Sequence, residues 1–568
     1  MGAAILSPLR CECSLSMSAR LFRRSCSIAL VLAAALGSAA SARPPLAYAP
    51  ADTPYVFGAI DPPSAAISDA WIARDDALPR MYAPMLREWL GAAADTGADS
   101  KQQRALLKAI SAEVETRGLG ELMERWGLSR QPRAALFGLG LLPVARVELA
   151  DAERFREAFL RFTRSAGMQV QTADADGQTY WLLGPDTSEN GLLLALHDGQ
   201  LVLSLLPRSA TATVLRAVLG LDPPAESVLD AGSLQALNAR LGLLPQGSGY
   251  LDSARLWALI SGAAQGPQAA LMAELGWIPP SEISAACEAQ AQDLIESWPR
   301  MAAGYAAIDE RGYRLRYLLE AKPALVKKLH TLQAPLIAAA DADAAGARLA
   351  LSLRSDRLIT LINSWGGALS GECVGSMLSA LKLAELSSAL NNPVAAGLAQ
   401  HLPSVHAQID HLRWPEGDKP LELQASLQGY TPDLAALLAD IATQDPSFPA
   451  DLQPGEPPRA IDLPSGLPGE AKMHIAAGTQ ALGLAIGDRA VAALPARLAS
   501  APSAPTLLEF AYRGAFYQSV MEQALEGQPD TEPMLAPIRH HGQSLDRALY
   551  SVEVSEFGLE FVGELKFH

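Results

Sequence analysis

The chain repeats one order of elements, and that repetition limits its possible folds more than any single motif does. A strand, a short break and a helix are followed by a β-hairpin and another helix, and the order recurs. In a long chain such copies bury a shared core against their neighbours. Four strand-to-helix openings carry the pattern: 55–60 before a helix near 65–73, 249–252 before 253–260, 348–353 before 355–362, and 507–512 before 515–525. The middle two match most closely. Ser253, Arg255, Leu256, Leu259 and Ile260 stand where Ser355, Arg357, Leu358, Leu361 and Ile362 stand in the other.

The hairpin half recurs as well. Residues 145–149 lead into a helix capped by Asp151, whose Phe155, Ala158, Phe159 and Phe162 fall on one apolar face. The hairpin 192–206 turns at Asp198-Gly199, a pair suited to the positive φ of a type I′ turn, and a helix over 209–219 follows. The second copy runs through 421–427, a helix capped by Thr431 with Pro432 in its first position, a Pro-rich loop over 454–468, a hairpin over 472–486 and a helix over 488–498. Two more hairpins are expected, 304–319 turning near 310–312 and 549–567 turning near Phe557-Gly558. In the last, Leu559, Phe561, Gly563, Leu565 and Phe567 alternate with Glu560, Val562, Glu564 and Lys566. That is the pattern of a half-buried strand with one solvated face.

Short hairpins make antiparallel neighbours, and amphipathic helices cover a sheet face. The expected fold class is therefore α+β, with duplicated strand–helix–hairpin–helix units forming two or more antiparallel sheets covered by helices. A first lobe over 44–262 and a second over 263–568 are expected, with 346 also defensible as the break. A helical stretch over 102–126 falls inside the first lobe.

Residues 1–42 read as a secretory signal that is removed. Arg20, Arg23 and Arg24 form a basic start, 26–36 an apolar run, and Ala40-Ser41-Ala42 a small-x-small site, so cleavage is expected after Ala42. Residues 1–16 fit badly in front of a signal, which makes Met17 the expected start. The apolar run is shorter than the roughly 20 residues that span a bilayer. No later segment is continuously apolar for that length, so the mature chain is expected to have no transmembrane span and to reside in the periplasm.

The chain carries 45 Lys and Arg against 61 Asp and Glu, a formal net charge of −16. Without residues 1–42, which hold Arg10, Arg20, Arg23, Arg24 and Glu12, 41 basic and 60 acidic residues remain, a net charge of −19. This excess argues against nucleic acid and against anionic lipid surfaces as partners. A hydrophobic fraction of 49% excludes a disordered chain. Two cysteines survive cleavage, Cys287 and Cys373. In an oxidising compartment two thiols of one chain pair, and these follow the two closest openings at comparable places, so a Cys287–Cys373 disulfide is expected. Two separate buried thiols are the alternative.

The opening Ala49-Pro50-Ala51-Asp52-Thr53-Pro54-Tyr55-Val56-Phe57, with the signal and the strand–helix–hairpin units, resembles secreted envelope proteins of Gram-negative bacteria that form families of unknown function. The resemblance implies export. It implies no activity and no catalytic residues.

Motifs that carry chemistry are few. There is no phosphate-binding G-x-x-x-x-G-K-[ST], no H-E-x-x-H and no C-x-x-C. Ser370 lies among small residues rather than in a G-x-S-x-G elbow. His401, His406 and His411 are evenly spaced, but His406 and His411 lie five apart in an expected strand and so point to opposite faces. His540-His541 read as a solvated loop. Asp341-Ala342-Asp343 lacks the later ligands of a calcium loop, and Asp174-Ala175-Asp176-Gly177 reads as a hairpin turn. Glu553 and Glu560 are expected to face each other on a solvated strand face. The nine Trp are scattered and read as core.

These readings lead to a non-enzymatic periplasmic binding or scaffold protein, with no catalytic residue, metal or cofactor singled out. Its partner is expected to be an envelope protein, a lipid or a glycan. A secreted hydrolase whose residues meet only in the fold, or a carrier of apolar ligands such as lipid, are the alternatives.

Overall fold

The structure, a computed structural model, describes residues 43–94, 100–184, 188–279, 283–337, 345–358, 360–361, 401–414, 421–445, 448–461, 472–502, 506–526, 528 and 531–568. The expected signal over 1–42, Ser370, Cys373 and Asp341-Ala342-Asp343 lie outside them.

A first run of elements opens with β1 (Tyr55–Gly58) and helices α1 (Ala65–Asp75), α2 (Leu78–Ala94), α3 (Ser100–Val114) and α4 (Leu119–Arg125). The hairpin β2 (Ala134–Leu139) and β3 (Leu142–Glu148), α5 (Ala152–Ser165), and the hairpins β4 (Val170–Ala175) with β5 (Gln178–Leu183) and β6 (Asn190–His197) with β7 (Gln200–Pro207) follow. Next come α6 (Ala212–Leu219), α7 (Ser233–Leu241), β8 (Ser248–Asp252), α8 (Ser253–Ser261), α9 (Pro267–Glu274), α10 (Ala285–Ser297) and the hairpin β9 (Arg300–Asp309) and β10 (Gly312–Glu320). After α11 (Pro323–His330), a second run holds β11 (Ala347–Ser352), the hairpin β12 (Ser404–Arg413) and β13 (Glu422–Tyr430), and α12 (Leu434–Gln444). It continues with β14 (Arg459–Ile461), the hairpin β15 (Met473–Gly478) and β16 (Ala481–Ile486), α13 (Asp488–Leu498) and β17 (Leu508–Arg513). It ends with α14 (Gly514–Leu525), α15 (Glu532–Ser544) and the hairpin β18 (Leu545–Ser555) and β19 (Gly558–Phe567).

Local chemistry explains most of these boundaries. Asp198 and Asp176 adopt φ of 52° and 53°, each followed by a positive-φ glycine, as type I′ hairpins require. Asp151 caps α5 by accepting from the Arg154 backbone N–H. The expected cap of α12 is corrected: Asp433, not Thr431, accepts from the Ala436 N–H, and the Thr431 side chain is buried. A carboxylate two residues further on is the better acceptor for the first turn. The expected helix over 102–126 is two helices, because Gly118, in an extended conformation, opens α4.

All nineteen strands described belong to one antiparallel sheet, not to the two or more expected. β10 and β19 pair along nine residues, from Gly312 opposite Lys566 to Glu320 opposite Gly558. Each would otherwise present an open edge of unpaired N–H and C=O groups, and joining them satisfies both edges. Outward from this seam the strands are β9, β8, β1, β2, β3, β7 and β6 on one side. On the other side they are β18, β17, β11, β12, β13, β16 and β15. β5 and β4 extend the first flank, and β14 the second. A cut at 263 would part β8 from its direct neighbour β9, whereas a cut at 346 falls between the two runs.

Directly opposed residues share a sheet face. One row therefore crosses twelve strands: Arg146, Ala135, Gly58, Ser248, Gly304 and Arg316 up to the seam. Beyond it stand Val562, Ser551, Glu509, Ala350, His406 and Gln428. We call the face carrying this row the inner face. In the first run its Val56, Phe137, Val144 and Val202 pack under α6 and α7 through Val214, Val218, Leu234 and Leu237. In the second run Ala476, Ala481 and Ala485 pack under Leu494 and Leu498 of α13. On the outer face Phe155 and Phe159 of α5 cover Trp181, Leu194 and Leu201, and Leu437 and Leu438 of α12 cover Ile475, Ala477 and Leu482.

Candidate functional site

Between the helices α5 and α12 the outer face carries a row of large apolar side chains that face water. Leu427 opposes Ala407, and Leu349 opposes both Ala407 and Phe510. Phe510 in turn opposes Tyr550. One step along the strands, Leu351 opposes Leu508, Leu508 opposes Val552, and Phe561 lies between Val552 and Tyr317. Leu349, Leu351, Leu427, Leu508, Phe510, Tyr550, Phe561 and Tyr317 are each between 39% and 44% exposed. Single exposed leucines are ordinary, whereas these exposed apolar side chains run contiguously across seven adjacent strands. The patch is bounded along the strands. At one end Leu325 and Leu329 of α11 pack with Val554. At the other, Tyr517 of α14 stacks on Tyr512 and meets His541 of α15 edge-on, with ring centroids 5.6 and 5.1 Å apart.

Behind this patch the inner face is polar and buried. The expectation of a solvated face at Glu553 and Glu560 is corrected. The two do stand opposite each other, but Glu560 is only 5% exposed and accepts from Arg316 Nε at 3.0 Å and Nη2 at 2.8 Å, while Nη1 donates to Leu241 O. Glu553 accepts from the Ser551 hydroxyl at 2.6 Å. Alternation tells that two faces differ; it does not tell which of them the tertiary structure covers. Further along the row, Arg348 donates to Glu509 at 2.7 Å. His406, 2% exposed, meets the Gln428 amide oxygen at 2.9 Å through Nδ1. The Gln428 amide N–H₂ donates to Ser426, which also accepts from Arg497 at 2.6 Å. Arg497 of α13 reaches on to Asp410 at 3.0 and 3.1 Å. Burial holds the His406 imidazole below its usual pKa; the Gln428 hydrogen bond and Glu509 act against this, Arg348 and Arg497 with it.

Asp410 is the extra residue of a β-bulge, with the register shifting between Ile409 and His411. The bulge overturns the expectation that His406 and His411 point to opposite faces: both now stand across from even-numbered β13 residues, Gln428 and Gln424. The three histidines still do not converge. His401 lies 3.9 Å from Asp440 and His411 3.7 Å from Glu422, each with its own partner. No group of three potential metal ligands occurs among the described residues. His197, His330 and His406 each hydrogen-bond a glutamine oxygen through a ring nitrogen. His541 is not in a loop but in α15, and its neighbour His540 shares that helix. Burial lowers the His541 pKa.

The first run holds one buried charge that local patterning did not signal. Arg146 on β3 is fully buried. Its guanidinium donates to Leu219 O at 2.5 Å, capping the C-terminus of α6, and to Gln200 at 3.2 Å. It also lies 3.6 Å from the ring centroid of Tyr48. Burial pushes the Arg146 pKa down to about 10 and the Tyr48 pKa up to about 12, Tyr48 being hydrogen-bonded to Asp198. The helix dipole and the aromatic face both favour a cation at this place. Of the expected pair of cysteines, Cys287 sits in the first turn of α10, with its N–H bonded to the Ser284 hydroxyl. The other four cysteines all lie outside the described residues. No helix among the described residues is long and apolar enough to cross a membrane. No family model, no curated protein and no solved structure matches the chain.

Proposed function

We propose that this is a non-enzymatic binding or scaffold protein of the periplasm, and that it acts through the open apolar row of the outer face. The observation that carries the reading is the side-chain orientation on the strands around the seam. Tyr317, Phe510, Tyr550 and Phe561 face water while Arg316, Glu509 and Glu560 face inward. Exposing such rings costs hydrophobic free energy, about 1.5–3 kcal/mol for a side chain left fully in water. An evolved sheet keeps that cost where a contact offsets it. Export rests on the signal-like residues 1–42, and the periplasm is an oxidising compartment, in which the expected Cys287–Cys373 pairing would persist.

The reading includes an origin by duplication. Counted outward from the seam, eight strands on each side occur in the same chain order, and the row of opposed residues described above crosses six on each side in that order. Arg316 takes the place of Val562, Gly304 of Ser551, Ser248 of Glu509, Ala135 of His406 and Arg146 of Gln428. The units this supports are about 44–320 and 346–568, each an exported block of the envelope type that the sequence resembles. In the first unit most of the inner face packs into an apolar core around Arg146; in the second the strands nearest the seam carry buried polar side chains on that face and exposed apolar ones on the other.

The test is the binding of bis-anilinonaphthalene sulfonate to the native chain. Saturable fluorescence enhancement that falls at least about fivefold in the Phe510→Ser, Tyr550→Ser double variant is the expected result. No enhancement, or enhancement indifferent to the two substitutions, would overturn the reading.

A further inference from the structure

We propose that the partner presents a cationic amphipathic helix, and that the apolar side of this helix lies on the outer face at Leu349, Phe510 and Tyr550. The inference rests on the binding reading and commits it to one occupant. Its first support is how the sheet covers this face elsewhere. On one side of the open row, α5 seats Phe155 and Phe159, one helical turn apart, against Trp181 and Leu194, which are opposed on adjacent strands. On the other side, α12 seats Leu437 and Leu438 against Ile475 and Leu482. A helix rises about 5.4 Å per turn and strands lie about 4.8 Å apart, so apolar residues one turn apart meet side chains on neighbouring strands. The open row continues this same face between the two helix-covered flanks. It offers the same kind of surface, with Leu349, Phe510 and Tyr550 opposed on three successive strands.

The second support is charge, which separates the candidate occupants. The chain has a net charge of −16. A second copy would bring the same charge to the contact and be repelled, as would an anionic bilayer. Lysines and arginines on the polar side of a docked helix are attracted instead. An isolated acyl chain fits less well, because a row open on one side leaves half of it in water, whereas a helix turns its own polar side outward.

The experiment is fluorescence anisotropy of the intact chain with a labelled 18-residue peptide. Leucines occupy positions i, i+3, i+4 and i+7 and lysines the rest. The controls are the same composition in scrambled order and a version with glutamate for lysine. Saturable binding of the first peptide is expected. It should weaken at least about tenfold with either control, and at least about tenfold in the Phe510→Ser, Tyr550→Ser variant. It should also weaken with added salt. Both substituted side chains are more than 40% exposed, so the variant should keep the urea midpoint of the parent, which is measured alongside. Dye binding without peptide binding would overturn the helical partner and leave the binding reading standing; loss of both would overturn both. Equal binding of the scrambled or acidic peptide would overturn the proposal, as would self-association in light scattering that vanishes in the double variant.

Discussion

At the scale of single residues, the buried charges carry the most specific expectations. Arg146 supplies donors to Leu219 O and Gln200 in a fully buried setting. Arg146→Met would leave these acceptors without a donor, and the unfolding free energy measured in urea should fall by about 2–4 kcal/mol. Arg316 and Glu560 form a two-pronged pair near the seam. Arg316→Met alone should cost about 3 kcal/mol by stranding the Glu560 carboxylate, and the double variant with Glu560→Leu should recover much of that loss. A double variant as unstable as the sum of its singles would exclude this coupling. His406 sets a pH dependence. Burial lowers its pKa in the folded chain, so the unfolded chain, with a value near 6.5, takes up the proton more readily. Stability is therefore complete above about pH 6.5 and declines as the pH falls below it. Urea midpoints between pH 7.5 and 5 should drop, and His406→Gln should make the drop shallower. His197 and His541 are lowered by burial too, so the slope should persist in part. Little of this was legible in the sequence. An arginine or histidine in a strand shows its parity but not its burial, and the bulge at Asp410 has no glycine or proline to announce it.

At the scale of elements, the legible parts are those fixed by neighbours in the chain. The turns at Asp198-Gly199 and Asp176-Gly177, the Asp151 cap and the apolar face of α5 follow from local dihedral and hydrogen-bond preferences, and all stand as expected. The pairing of β10 with β19 was not legible, because it joins segments more than two hundred residues apart and depends on register rather than local pattern. Where strands approach closely, glycine is what permits it. A Cβ on Gly249 of β8 would stand 2.2 Å from Val56 O and 2.4 Å from the Phe57 ring. Gly249→Ala should therefore cost about 1–3 kcal/mol, read as a lower thermal midpoint, through forced displacement of β1. An unchanged midpoint would mean that β1 and β8 are not held at this distance.

At the scale of the whole molecule, the continuous sheet decides which side chains reach water. Zipping the two runs at the seam places the strands from β13 to β10 side by side. It buries their polar side and, among the described residues, leaves the row from Leu427 to Tyr317 between 39% and 44% exposed. The alternation along β19 shows two unlike faces, but at its centre Glu560 and Val562 are buried and Phe561 faces water, because the long-range assembly determines which face is covered. The most direct measurement is hydroxyl-radical footprinting of the native chain in the absence of any partner. Rapid labelling of Tyr317, Phe510, Tyr550 and Phe561 is expected, with Phe137 and Tyr250 of the inner core protected. Protection of the four outer rings in the free chain would contradict the account, because the surface on which its function depends would then already be covered.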